Sequence, residues 1–124
     1  MRTAAQTAGD AAEAVVAESL ETTGWRVLGT HLRAGRAEID LLAVDPGPPP
    51  VLVVVEVRWR ARRDFGLPEE TIDHRKRTRL HEAGYALRSA GQLADGTAVP
   101  QLPLRFDLVV VEPGGRLRHH RHGL

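Results

Sequence analysis

Residues 37–60 read AEIDLLAVDPGPPPVLVVVEVRWR, two apolar arms joined by a proline-rich turn. Alternate side chains of a strand face opposite ways. Glu38 and Asp40 therefore fall on one face of the first arm, and Ile39, Leu41 and Ala43 on the other. In the second arm Glu56, Arg58 and Arg60 share a face opposite Val53, Val55, Val57 and Trp59. Pairing the arms as a hairpin brings Asp40 close to Glu56. A charge entering a valine run is costly to desolvate unless it is paired or binds a metal. Two readings stay open at this point: a site built on the acids, or a solvated outer face on which Glu56 pairs with an arginine.

The chain has 124 residues, which suits one domain. A chain of this size buries roughly 65% of its unfolded surface, enough for a core without staples. The absence of cysteine excludes thiolate catalysis and cysteine-ligated zinc. No apolar run approaches the ~20 residues that span a bilayer, and the N-terminal MRTAAQTAGD has no signal-peptide core. The expectation is a cytoplasmic protein without membrane contact. Net charge is only +1, but sixteen of the seventeen Lys and Arg residues are arginine, clustered as RWRARR (58–63), RKRTR (75–79) and RLRHHR (116–121). Such clustering suits a phosphate-binding face, with a merely solvated surface as the alternative for any one cluster.

Upstream of the hairpin, residues 7–23 predict an alanine-rich helix ending before Gly24. Gly9, Val16, Ala17 and Leu20 form its stripe and Glu13 falls inside it. Glu13 is thus either paired to a buried base or a functional acid. Residues 25–32 predict a short strand. Downstream, 61–68 predict a loop, and 69–90 a helix with Ile72, Leu80, Ala83, Leu87 and Ala90 on one side; Lys76, the only lysine, sits in or beside this stripe. Residues 91–101 predict a loop and 102–112 a further strand, with Pro103 at its tolerant start. The tail 113–124, basic and histidine-containing, shows no periodicity and is read as flexible. The order α-β-β-β-α-β gives an α/β domain over residues 1–112, a mixed central sheet flanked by helices.

Asp40 and Glu56 on neighbouring strands offer the hard oxygen donors that Mg²⁺ or Mn²⁺ prefers. Glu13 could hold a second ion or orient a water, and the basic clusters could hold a nucleic-acid backbone.

The segments GDAAEAVVAESL, AEIDLL, EVRWR, FGLPEETIDHRKRTRL and RFDLVVV, in this order, resemble the YraN family. That family consists of small bacterial proteins with a restriction-endonuclease-like, PD-(D/E)XK fold, similar to archaeal Holliday-junction resolvases. The resemblance covers about residues 9–112. It implies an endonuclease-like protein that hydrolyses phosphodiester bonds of DNA, duplex or branched, with a homodimer as the expected assembly. By position it implies metal and acid roles for Glu13, Asp40 and Glu56, supporting roles for Glu38 and Lys76, and structural roles for Arg105 and Asp107. Nucleic-acid contacts are expected from Arg60, Arg62, Arg63, Arg75, Lys76 and Arg79. The chain departs from the family pattern in Ala12 and Ala37, which replace glycines, and in Arg58, which replaces a lysine. A lysine can shed a proton when buried and an arginine practically cannot. Arg58 could still bind phosphate and stabilise charge. Either activity is retained with Arg58, or catalysis has weakened to leave a nucleic-acid-binding scaffold, unless Lys76 reaches the site and takes over.

Overall fold

The computed structural model describes residues 3–59 and 72–124, with side chains 4–8 outside the description. Helix α1 (Ala4–Thr22) is followed by strands β1 (Arg26–Ala34), β2 (Ala37–Asp45) and β3 (Val51–Trp59). Helix α2 (His74–Ala90), β4 (Leu104–Val111) and β5 (Leu117–His120) complete the chain. The five strands lie in sequence order in one mixed sheet, and only β3 and β4 run parallel. A parallel pair needs a crossover, which α2 supplies.

The sheet is covered by a helix on each face. Ala12, Val16 and Leu20, spaced four apart on α1, pack on Leu41, Ala43, Val53, Val55, Val109 and Val111. Leu80 and Ala83 of α2 pack on the other face, against Ile39, Leu42, Leu52, Val54 and Phe106. A Cβ added at Gly84 would come within 2.8 Å of Phe106 Cε1 and 3.0 Å of Val54 Cγ2, so the missing side chain lets α2 lie close on the sheet. Helix α2 starts at His74, after residues 72 and 73; the expected start at residue 69 lies outside the described residues. Asp73 has extended backbone and accepts the Lys76 N–H at 2.9 Å, an N-cap that fixes the first turn. Gly91 ends the helix with φ of 72°, its N–H reaching the carbonyls of Leu87 and Arg88.

Two expectations are corrected. Ile39 does not share a face with Leu41 and Ala43: it packs on the α2 side, they on the α1 side. Strict alternation fails at Asp40 because the backbone is irregular there. His31, opposite Asp40 in the β1–β2 register, has φ of 51°, and β2 pairs with β3 only from Leu41 onward. The tail, read as flexible, contributes β5, antiparallel to β4.

What draws the tail in is a buried polar network on the α1 face. Arg105 and Asp107 point there two residues apart. The guanidinium donates to Asp107 from Nε (2.9 Å) and to Asp45 from a terminal nitrogen (3.0 Å), and it lies over the Trp25 ring. Asp107 is 0% exposed and also engages His119 Nε2 at 2.8 Å and the His122 N–H at 3.1 Å. Burial alone would raise the Asp107 pKa, but the hydrogen bonds from His119 and Arg105 outweigh it and hold the carboxyl below its ordinary value. A carboxyl so depressed contributes stability above its unfolded pKa that is lost as pH falls through the folded one. Asp107→Asn, which leaves Arg105 without its main partner, is expected to destabilise the fold by about 3–5 kcal/mol at pH 7, read from chemical denaturation. The difference from wild type should shrink on acidification below the ordinary Asp range.

Candidate active site at the strand fork

Beyond Leu41–Val55, β2 and β3 diverge, while β3 continues to pair with β4 as far as Trp59. The β3 N–H of Val57, beyond that pairing, donates to Asp40 Oδ2 at 2.8 Å. A side-chain carboxylate thus stands where the neighbouring strand would have supplied a carbonyl, which satisfies a donor that would be costly to leave bare.

Around this fork Asp40 stands between two further acids, Glu13 of α1 on one side and Glu56 of β3 on the other. Glu56 is buried on the α2 side of β3. Its Oε1 lies 2.9 Å from Lys76 Nζ and 3.4 Å from Arg58 Nε, whereas its Oε2 is enclosed with no hydrogen-bond donor among the described residues. Glu13 enters from α1, its side chain only 13% exposed, next to the Asp40 carboxyl. Burial, and then the neighbouring Asp40 charge, push the Glu56 pKa up to about 7 despite Lys76. Asp40 is raised by burial first, partly offset by the Val57 N–H, and then by Glu13. Glu13 is raised by burial, with the His31 charge acting against it. Three carboxyls raised together form an arrangement with too little positive charge of its own.

That shortage, with the enclosed, unpartnered Glu56 oxygen, fits a divalent cation. Asp40 with Glu56, and Glu13 beside Asp40, are the residues that could offer hard oxygens to such an ion. Lys76 reaches the centre because the Asp73 cap places it on the first turn of α2. Arg58 also touches Glu56, less closely than Lys76 does.

Glu38 sits at the rim, Oε1 3.3 Å from His31 Nδ1. Arg75, Lys76 and Arg79 line a groove of about 600 Å³ together with Arg36, Glu38 and Asp40. Arg60, Arg62 and Arg63 lie outside the described residues. A larger hollow of about 760 Å³ runs along α2 past His81 and Tyr85; none of the three acids borders it, whereas Asp40 borders the smaller groove. Sequence reasoning passed over Arg36 and His31. Arg36 lay in a segment read only as a turn. His31 stands in a strand with no neighbouring motif, and only the fold sets its ring against Glu13, 2.6 Å from Nε2 to Oε2.

Fold and site together define an α/β protein with a mixed five-stranded sheet, two helices and an acid-rich centre beside a basic groove. Residues 12–111 match the model of uncharacterised protein family UPF0102, the YraN family, and the chain belongs to it. It is 42% identical over 112 residues to a UPF0102 protein of Symbiobacterium thermophilum, covering 89% of this chain and 87% of the relative. A UPF0102 protein of Moorella thermoacetica is 38% identical over 104 residues, covering 83% and 78%. One of Paenarthrobacter aurescens is 38% identical over 113 residues, covering 91% and 89%. Among the described residues no helix is long and apolar enough to cross a membrane.

The raised Glu56 pKa has a consequence for stability. Between its ordinary value of 4.5 and about 7 the folded protein holds more protons than the unfolded chain, so stability falls as pH rises through that window. Glu56→Gln, which stays neutral, is expected to stabilise the metal-free protein by about 1–3 kcal/mol at pH 8. That gain should vanish toward pH 4.5. Thermal melts in chelator across this range measure it.

Proposed function

We propose that this protein is a metal-dependent endonuclease-like hydrolase of DNA with a restriction-endonuclease-like, PD-(D/E)XK core. The observation that carries this reading is the Asp40–Glu56 carboxyl pair at the strand fork, with Glu13 on the other side of Asp40 and, among the described residues, no hydrogen-bond donor on one buried Glu56 oxygen, beside a groove lined by Arg36, Arg75, Lys76 and Arg79. Lys76 and Arg58 both approach the other oxygen of Glu56, Oε1.

Asp40, Glu56 and Glu13 would hold Mg²⁺ or Mn²⁺, which when bound polarises a phosphodiester and lowers the pKa of attacking water. Around that ion the chain's own residues have distinct tasks. Asp40 is fixed by the Val57 N–H, so its free oxygen is already oriented. Lys76 sits against the acid centre as a mobile point charge, the role for which the family pattern uses a lysine at position 58. Arg58 stabilises charge on the transferred phosphate. Arg36, Arg75 and Arg79, with Arg60, Arg62 and Arg63, hold flanking phosphates and make binding salt-dependent. Glu38 supports the rim through His31. The resemblance to resolvases favours branched DNA and a homodimer matched to a symmetric junction, and the cysteine-free sequence favours a cytoplasmic setting.

A second reading, a binding scaffold without turnover, is favoured by Arg58 alone. The two separate in a cleavage assay on labelled duplex, flap and four-way-junction DNA with Mg²⁺, Mn²⁺ or chelator. The wild type is expected to cut only with metal. Glu56→Ala should abolish cutting, Lys76→Ala should lower it by about 10²-fold or more, the scale of a catalytic proton-transfer or charge-stabilising group, and Arg58→Lys should retain it. Salt-sensitive binding without cutting by the wild type, with cutting restored in Arg58→Lys, would overturn the active reading in favour of the scaffold.

A further inference from the structure

The imidazole of His31 is held between carboxylates on both of its nitrogens. Nε2 lies 2.6 Å from Glu13 Oε2 and 3.7 Å from Asp10 Oδ1, and Nδ1 lies 3.3 Å from Glu38 Oε1. Asp10 and Glu13, three residues apart, project from one side of α1. One ligand atom from each of Asp10, Glu13 and His31 falls within 4.8 Å of the others. Glu38 stands behind the ring at Nδ1, the position from which a carboxylate commonly orients a metal-binding histidine. Either a proton on Nε2 or a metal ion drawing on the same atoms can hold the ring and the two carboxylates together. Glu13 Oε2 is also enclosed and has no hydrogen bond of good geometry. In the described centre at Asp40 and Glu56 the donors are all oxygens. Here one is nitrogen, and imidazole with carboxylates suits transition ions better than Mg²⁺.

We propose that Asp10, Glu13 and His31 form a second cation site, selective for a divalent transition ion, with Glu38 orienting the histidine. It deepens the proposed function at one point, because Glu13 there serves as the auxiliary acid, and it places an imidazole-bound ion beside the oxygen-bound one. On binding, the ion takes the place of any proton on Nε2, which leaves to solvent, while Nδ1–H stays on Glu38. The three side chains are reachable, with His31 45% and Asp10 38% exposed.

The competing account is a plain ion pair in which a proton on Nε2 bridges the acids and no metal enters. Co²⁺ titration of the full chain, followed by its ligand-field absorption and by calorimetry, separates them. His31→Asn is the chosen variant, since asparagine tolerates the left-handed backbone that position 31 requires. Circular dichroism confirms its fold. In excess Mg²⁺, which occupies the oxygen centre at Asp40 and Glu56, the wild type is expected to bind one Co²⁺ with a nitrogen-containing ligand field, and His31→Asn and Asp10→Asn to weaken that binding at least tenfold. ¹⁵N spectra with Zn²⁺ should show His31 Nε2 as the atom that moves. Equal Co²⁺ binding by His31→Asn would place the ion elsewhere, on the tail histidines for example, and overturn the site. An unmoved His31 resonance in saturating Zn²⁺ would overturn it as well. Cleavage by the Mg²⁺-loaded protein is scored separately. Co²⁺ binding without cleavage sinks the nuclease reading and leaves this site standing, and cleavage with no Co²⁺ bound at His31 does the reverse.

Discussion

The hydrogen bond from the Val57 N–H to the Asp40 carboxylate is the contact on which the centre depends. It lets β2 leave β3 while β3 goes on pairing with β4, and so opens a wedge at the end of an otherwise closed sheet. A wedge in a sheet normally exposes main-chain donors. Here a side chain covers one of them and in doing so is itself fixed in place. Glu56, one residue before Val57, is thereby brought beside Asp40, and α1 brings Glu13 to the same opening. Charge accumulates because the backbone geometry calls for a carboxylate at the fork and the neighbouring strand and helix add two more.

The two buried polar groups of the domain differ in a way that separates scaffold from site. Around Asp107 every charge has its counter-charge: Arg105 serves Asp107 and Asp45 at once, and His119 and His122 bring the tail into the same network. Its carboxyls are depressed, as expected of satisfied anions. Around Asp40 the carboxyls are raised and an oxygen of Glu56 is unpartnered. The first arrangement stabilises the fold and pins β5 to β4. The second costs stability that a bound cation would return.

Much of this was legible in the chain. The valine run marked an interior strand, the stripe of Gly9, Val16, Ala17 and Leu20 marked the buried face of α1, to which the structure adds Ala12, and a glutamate inside that stripe pointed inward. Lys76, in or beside the α2 stripe, could be singled out as the one lysine. What periodicity could not carry was the break at Asp40, since alternation assumes a regular strand and the left-handed residue at His31 violates it. The same irregularity placed His31 against Glu13, a contact between elements with no sequence signature. The tail looked flexible because LRHH lacks apolar alternation. It becomes a strand through His119, whose partner is a buried aspartate rather than a hydrophobic neighbour.

The central claim is that the acids at the fork are arranged for a cation rather than for one another. A ¹³C titration of the Glu56 carboxyl, with and without saturating Mg²⁺, tests it at the atom concerned. In chelator the midpoint should fall at about 7, and Mg²⁺ should drive it down by several units while the Asp107 carboxyl stays unmoved. A midpoint near the ordinary 4.5 in chelator, or one near 7 that Mg²⁺ leaves in place, would contradict the account.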